Sequence, residues 1–153
     1  MKRRLNNAFT FAVILLAGLV AYRFLSPRLF PAPTPAVFSE GTSLTAALTR
    51  AQSTGKPVFA VATASWCGAC QSYKKNALVN PEVEARLTDN TIPVFIDIDK
   101  DTDAATALNI SSVPATFLIN ADGSVIAQLQ GNTPSGALIT WLDTNTPPIA
   151  SNN

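Results

Sequence analysis

From position 38 onward the chain alternates short apolar runs with segments in which hydrophobic residues recur at helical spacing. Residues 57–62 and 92–98 are almost wholly apolar, as strands covered on both faces are. Two further runs flank the turn sequence at 120–123 and predict a β-hairpin. Strands are predicted at Pro57–Ala62, Ile92–Ile98, Ala115–Ile119 and Val125–Leu129. Helices are predicted from Leu44 through Ala51 up to a stop at Gly55, at Cys67–Leu78, Pro81–Leu87 and Thr102–Leu108, and from Thr133 through Leu142.

This order, α-β-α-α-β-α-β-β-α, predicts an α/β fold. Strands that alternate with helices form parallel pairs, whereas the closing hairpin adds an antiparallel edge. We therefore expect a mixed central sheet flanked by helices on both faces.

The amino end has a different pattern, because Lys2, Arg3 and Arg4 precede a charge-free stretch from Leu5 to Tyr22. Such a segment is an export signal or a membrane anchor. Neither Leu19–Ala21 nor Phe24–Ser26 forms a good cleavage site, so an uncleaved single-pass transmembrane helix is favoured over a cleaved signal. The positive-inside rule then keeps the amino terminus in the cytoplasm and places the body in the periplasm or an equivalent extracytoplasmic space.

Four prolines between positions 26 and 36 predict an extended spacer that holds the body off the bilayer. An SH3-type ligand is the alternative for a proline-rich stretch. The chain thus divides into a signal-anchor or transmembrane segment (1–25), a proline-rich linker (26–37), a folded domain (38–145) and a carboxy-terminal tail (146–153).

Composition excludes several function classes. The 153 residues are 47% hydrophobic, 14% charged and carry a formal net charge of +1, which favours one folded domain and gives no basic field for nucleic acid. The absence of histidine rules out Ser-His-Asp and Cys-His catalysis and histidine-ligated zinc. With two cysteines, a multi-disulfide scaffold is excluded as well.

The informative chemistry is Trp66-Cys67-Gly68-Ala69-Cys70, which follows a buried strand and opens a helix. Cysteines at i and i+3 share a helical face and can form a disulfide. Cys67 lies in the first turn, where free N–H groups and the helix dipole stabilise a thiolate, so it is predicted to be the nucleophile. Cys70 is predicted to be the less exposed, resolving thiol. Trp66 is predicted to shield the nucleophilic sulfur and to offer a flat apolar contact for a substrate.

Three other interpretations of the cysteine pair compete. A zinc half-site needs two more soft ligands, which this chain lacks. A structural disulfide across three residues removes little entropy from the unfolded chain. Two unrelated buried thiols would not usually lie at a strand-to-helix corner. Redox chemistry without a metal or a separate cofactor is therefore favoured.

The motif at 66–70, Val113-Pro114 before a strand and Gly131 before the last helix resemble the thioredoxin superfamily over nearly all of 38–143. The sequences Cys67–Lys75 and Asn80–Val83 are similar to the carboxy-terminal thioredoxin-like domain of DsbD-type thiol:disulfide interchange proteins. The resemblance implies that Pro114 is a cis-proline facing the sulfurs and that the backbone of Val113 pairs with an extended substrate segment. It also implies protein thiols and disulfides as partners, and a possible membrane electron donor.

The sequence departs from this family where a buried acid and a facing lysine are usual, because Val61 and Phe95 occupy those positions. Removing both members of a buried ion pair costs less than removing one. Cys70 is then left without an obvious side-chain base.

Other polar and aromatic positions receive structural interpretations. The alternating residues Asp97, Asp99, Asp101 and Asp103 are interpreted as a solvated acidic edge and helix-start charges rather than a cation site. Tyr73 and Trp141 are predicted to pack in the core.

Together these observations predict a membrane-anchored thiol:disulfide oxidoreductase that acts on proteins outside the cytoplasm as a reductase. A disulfide oxidase of the same fold is the first alternative. A non-catalytic protein that uses the Pro114 groove to hold a client is the second, and the intact cysteine pair argues against it.

Overall fold

The computed structural model describes residues 2–29, 31–38 and 42–147. Its helices and strands follow the predicted order. The helices are α1 (Lys2–Leu29), α2 (Leu44–Thr54), α3 (Gly68–Lys75), α4 (Pro81–Asn90), α5 (Thr102–Ala107) and α6 (Ser135–Asn145), and the strands are β1 (Val58–Thr63), β2 (Ile92–Asp97), β3 (Ala115–Ile119) and β4 (Val125–Gln130).

The four strands form one mixed sheet in the order β2-β1-β3-β4. Strand β1 pairs in parallel with β2 and antiparallel with β3, and β4 continues the antiparallel half. The predicted mixed sheet is confirmed, and β1 lies at its centre with every residue buried.

The sheet separates two hydrophobic cores, because alternate residues of β1 point to opposite faces. Val58, Ala60 and Ala62 pack with the buried residues of α2 and α5. Phe59 and Val61 pack on the other face with those of α3, α4 and α6. Helices therefore cover both faces, as predicted.

Local capping explains where the helices begin. The Ser43 hydroxyl accepts a hydrogen bond from the Ala46 N–H, and the Asn80 carboxamide accepts from the N–H groups of Glu82 and Val83. Gly55, at φ 71°, ends α2 in the left-handed conformation that glycine adopts at low cost.

Helix α3 is shorter than predicted, since it ends at Lys75 rather than Leu78. The side-chain amide of Asn76 donates to the Ser72 carbonyl at 2.8 Å, while the Leu78 N–H bonds to the carbonyl of Tyr73, five residues back. The Asn76 N–H keeps its own helical bond to the Ser72 carbonyl, but Asn76 leaves the helical conformation at φ −120° and ψ −75°, and the apolar periodicity of the sequence does not reveal this.

The amino-terminal boundary also differs from the prediction. Helix α1 continues through Pro27 to Leu29, so residues 26–29, which were predicted to belong to the linker, are helical. None of the helices in the described ranges is both long and apolar enough to cross a membrane. The predicted tail at 146–153 lies largely outside the described residues.

Residues 31–38, here called the docked segment, pack against the domain, whereas positions 26–37 were predicted to form an extended spacer and the domain to begin at Phe38. The side chain of Phe38 is buried, and its ring lies 5.8 Å from that of Phe95 and 6.4 Å from that of Phe59. Ala32 is buried too, and both its backbone polar groups are bonded to side chains of α3. Proline content indicates an extended backbone but not whether that backbone finds partners, which explains the incorrect prediction.

Candidate active site

The site lies at the carboxyl end of the central strand β1, where the chain turns into α3 through residues 64–67. The Cys67 N–H bonds to the Ala64 carbonyl at 3.3 Å, which closes this turn. Ala64, Cys67 and Cys70 form a small buried cluster with Ile98 and Val113 against it. The end of a rigid strand thus fixes the start of the helix that carries both cysteines.

Cys67 and Cys70 form a disulfide with their Cα atoms 5.2 Å apart. The two sulfurs have different surroundings. Cys67 is the N-cap residue of α3, its Sγ accepts a 3.1 Å hydrogen bond from the Cys70 N–H, and the residue is 7% exposed. Cys70 is 0% exposed. The Cys70 N–H has no helical partner and is directed at Sγ of Cys67, so it favours negative charge on that sulfur. This difference between the two sulfurs is expected of a nucleophile and a resolving thiol.

The loop before β3 lies against the nucleophilic sulfur. The Val113–Pro114 peptide bond is cis, as the family resemblance implies, and Sγ of Cys67 lies 3.7 Å from the Val113 carbonyl oxygen. Gly131, at φ 85°, donates its N–H to the Pro114 carbonyl at 2.7 Å. A residue other than glycine would be strained at this φ, so Gly131 helps to fix the position of the proline loop.

Trp66 is 51% exposed beside the disulfide, and its indole N–H donates a 2.9 Å hydrogen bond to Oδ2 of Asp99. The following residues of the motif, Gly68 and Ala69, are exposed as well. The site is therefore bordered by solvent-facing groups that an incoming polypeptide can contact.

The acidic residues at the end of β2 and in the segment that follows it have separate structural roles. Asp97 pairs with Lys100 at 3.1 Å, and Asp101 caps α5 by accepting from the Ala104 N–H at 3.1 Å. Asp99 orients Trp66, a role that the sequence interpretation missed because the contact joins positions 33 apart. In the described part of the chain, no group of three or more acidic residues or cysteines is placed to hold a metal ion.

The buried region behind the cysteines is apolar where the family usually has an acid and a lysine. Val61 and Phe95 are register partners across β1 and β2. Thr116 pairs with Val61 across β1 and β3, and its hydroxyl lies 3.2 Å from the hydroxyl of Tyr73 in α3. Burial raises the pKa of Tyr73 to about 12, although its hydrogen bond to Thr116 acts in the opposite direction. Tyr73 therefore stays a neutral phenol at physiological pH.

Trp141 packs edge-on against Phe59, in agreement with its predicted core role.

Two buried polar residues of α3, Gln71 and Lys74, were not singled out from the sequence. Lys74 donates to the Ala32 carbonyl at 2.7 Å, and its Nζ lies 5.7 Å from the centre of the Phe95 ring. Burial lowers the pKa of Lys74, and the nearby carboxylate of Asp97 opposes that shift. Gln71 contacts both the docked segment and the turn before Cys67. Their spacing from Cys70 places them in the helix, but only the fold shows that this part of the helix is covered.

The fold and the site define a thioredoxin-fold protein with a CxxC disulfide at the start of a helix and a cis-proline loop beside it. The chain belongs to the thioredoxin-like domain family, since residues 44–146 match the model of that family.

Proteins of similar sequence support the assignment to this family. The chain is 30% identical over 97 residues to the thiol:disulfide interchange protein DsbD of Cronobacter sakazakii, a match that covers 61% of this chain and 16% of that protein. It is 35% identical over 88 residues to the chloroplastic thioredoxin Y of Oryza sativa subsp. japonica, covering 58% of this chain and 50% of the relative. The match thus spans half or less of the length of these relatives.

The fold is also that of the carboxy-terminal domain of Neisseria meningitidis DsbD in its oxidised form. The TM-score is 0.58 at 23% sequence identity, with 72% of this chain and 99% of that domain covered.

Proposed function

We propose that the protein is a thiol:disulfide oxidoreductase that acts on protein disulfides through Cys67 and Cys70. The observation that carries the proposal is the asymmetry of the pair. One sulfur accepts a helix N–H bond and belongs to a residue that is 7% exposed, while the other belongs to Cys70, which is fully buried. A structural disulfide has no need of such an asymmetry, whereas a two-step exchange reaction does.

In the reductive direction, the Cys67 thiolate attacks one sulfur of a substrate disulfide. The substrate S–S bond breaks, its second sulfur leaves as a thiolate that takes up a proton, and a mixed disulfide forms at Cys67. Cys70 then loses its proton and attacks Sγ of Cys67. This step forms the Cys67–Cys70 disulfide and releases the other substrate thiol, so two electrons have passed from the dithiol to the substrate.

The substrate contacts proposed for this reaction are Trp66, Val113 and Pro114. Trp66 supplies an exposed aromatic face, and the carbonyl of Val113 already lies at the reactive sulfur. An extended polypeptide paired with the backbone at Val113 would bring its own disulfide to Cys67.

The proposal includes a membrane anchor at residues 1–25 and a catalytic domain outside the cytoplasm. Its support is the charge-free stretch from Leu5 to Tyr22 behind three basic residues, and the exposed apolar side chains that α1 carries. Among the α1 residues whose side chains the structure describes, the exposed large ones are Phe9, Phe11, Val13, Ile14, Leu15, Leu16, Leu19, Val20, Tyr22 and Leu25.

We propose the reductive direction, with electrons supplied by a membrane partner, because of the similarity to DsbD. The competing oxidase would run the same two steps in reverse. The equilibrium constant with glutathione distinguishes them, since it shows which direction is favourable in a given thiol pool.

Reduction of insulin disulfides by the full chain in mild detergent, with dithiothreitol as electron source, tests the proposed activity. Precipitation of the insulin B chain should be much faster with the wild-type protein than with the Cys67→Ser variant. Equal rates for the two proteins would contradict the oxidoreductase proposal and favour the client-binding alternative.

A further inference from the structure

Gln71 is a buried side chain whose amide joins two parts of the molecule. It is 5% exposed, and it follows directly after Cys70 in α3. Its Oε1 accepts from the Ala32 N–H at 2.6 Å, and its Nε2 donates to the carbonyls of Ala64 at 3.3 Å and Ser65 at 3.0 Å. Every polar atom of the side chain therefore has a protein partner.

We propose that Gln71 is a positioning residue for Cys67, which holds the turn at 64–66 against α3 and is itself oriented by the docked segment. This proposal rests on the proposed thiol exchange at Cys67 and is independent of its direction and of the membrane anchor.

The turn matters because it sets where the nucleophile lies relative to the helix. Ala64 accepts hydrogen bonds from both Gln71 and the Cys67 N–H, so the carbonyl that Gln71 holds is also the one that anchors Cys67. Displacement of that carbonyl would move Sγ of Cys67 relative to the Cys70 N–H, 3.1 Å away.

The two redox forms depend on this anchoring to different degrees. In the oxidised form the covalent bond to Cys70 already fixes Sγ of Cys67. In the reduced form that bond is absent, and the thiolate is stabilised by N–H groups whose contribution falls steeply with distance and angle. Loss of the Gln71 contacts should therefore destabilise the reduced form more than the oxidised form.

The docked segment enters the proposal through the orientation of the amide. Because the Ala32 N–H needs an acceptor, Oε1 faces the segment and Nε2 is directed at the turn. An amide without this partner is free to rotate, and its donors then bond to the turn for only part of the time.

The experiment uses the full chain in mild detergent and the variants Gln71→Met, Ala32→Pro and Tyr73→Phe. Methionine preserves the length of the side chain but removes every hydrogen bond of the amide. Proline at position 32 removes the N–H that orients the amide and puts a ring carbon in its place, so Oε1 of Gln71 loses its donor and must move away. Tyr73→Phe is the matched control, because it removes a buried hydrogen bond from the same helix without touching the turn.

Two quantities are measured for each protein: the equilibrium constant for oxidation by glutathione disulfide, and the urea unfolding free energy in both redox forms. Gln71→Met should raise the equilibrium constant for oxidation about three- to tenfold, the effect expected from one hydrogen bond that counts mainly in the reduced form. The reduced form should also lose more stability than the oxidised form. Ala32→Pro should shift the equilibrium in the same direction by less, and Tyr73→Phe should weaken both redox forms equally.

The outcomes separate this inference from the proposed function. An equilibrium constant within twofold of wild type for Gln71→Met, or equal destabilisation of its two redox forms, overturns the positioning role. Should Gln71→Met fail to fold, an unshifted Ala32→Pro variant overturns the link to the docked segment. A wild-type protein that does not exchange with glutathione at all defeats the oxidoreductase proposal instead.

Discussion

Val61 and Phe95 occupy matched positions on the parallel strands β1 and β2, and both belong to the hydrophobic core behind Cys70. Both strands carry an apolar side chain here, and a charged group lies close by, because Nζ of Lys74 is 5.7 Å from the centre of the Phe95 ring and donates to the Ala32 carbonyl. A carboxylate introduced at position 61 would be buried, since Val61 is 0% exposed.

Val61→Asp should accelerate resolution of a mixed disulfide near neutral pH, because the new carboxylate can accept the Cys70 proton. The variant should lose about 1–3 kcal/mol of unfolding free energy, since a buried group of this kind is costly and its pKa is raised by burial. Phe95→Lys in the same chain should restore part of that stability. Stopped-flow decay of the mixed disulfide from pH 6 to 10 and urea titrations measure the two effects.

Val61→Asn is the control for Val61→Asp, because asparagine has the same shape as aspartate but carries no carboxylate. It should lose stability and gain no rate. Fast, pH-independent resolution in the wild-type protein would contradict the premise that Cys70 lacks a base.

In the reduced protein, Cys67 should react with iodoacetamide at least about tenfold faster than Cys70 at pH 7, because its thiolate is stabilised at the helix start and Cys70 is the more deeply buried residue. Mass spectrometry of the Cys67→Ser and Cys70→Ser variants gives the two rates separately. Faster labelling of Cys70 would reverse the proposed roles.

Stability should fall in alkali because of Tyr73. Its folded pKa of about 12 lies above the unfolded value of 10.0, so the folded state holds the phenolic proton more tightly. The resulting stabilisation is complete below pH 10 and declines as pH rises toward 12, by about 1.4 kcal/mol per unit at most. Urea midpoints of wild type and Tyr73→Phe from pH 8 to 11 should converge as this contribution is lost. Parallel curves would contradict it.

The amino-terminal segment should remain attached to the protein and hold it in the membrane fraction. Intact mass of the protein expressed in a bacterial host should correspond to the uncleaved chain, and an alkaline carbonate wash should not release it. Replacing Ile14 and Leu15 by Lys should move the protein to the soluble fraction. A mature chain that begins after Ala17 would show a cleaved signal instead.

The sequence predicted the architecture because the apolar runs at 57–62 and 92–98 and the motif at 66–70 are local signals. Burial on both faces produces a continuous apolar strand, and a capped helix start can be recognised from a few adjacent residues. The order of elements then left few possible arrangements of the sheet.

The features that the sequence did not predict depend on contacts between distant positions. One such contact is the hydrogen bond between Trp66 and Asp99, which lie 33 positions apart. Two others are the hydrogen bonds of Ala32 to Gln71 and Lys74, which lie 39 and 42 positions away. Side-chain type alone does not reveal such partners. The early end of α3 lies at Asn76, which leaves the helical conformation although the apolar spacing continues to Leu78.

The docked segment has a consequence for where the catalytic domain can travel. Only three peptide steps separate Leu29, the last residue of α1, from Ala32, and three extended residues cover about 10 Å. With α1 as the proposed anchor, the domain would stay close to the bilayer surface and could not reach far into the surrounding compartment. Clients whose disulfides lie close to the membrane would then meet Cys67 at a high effective concentration, and those farther away would have to diffuse to it.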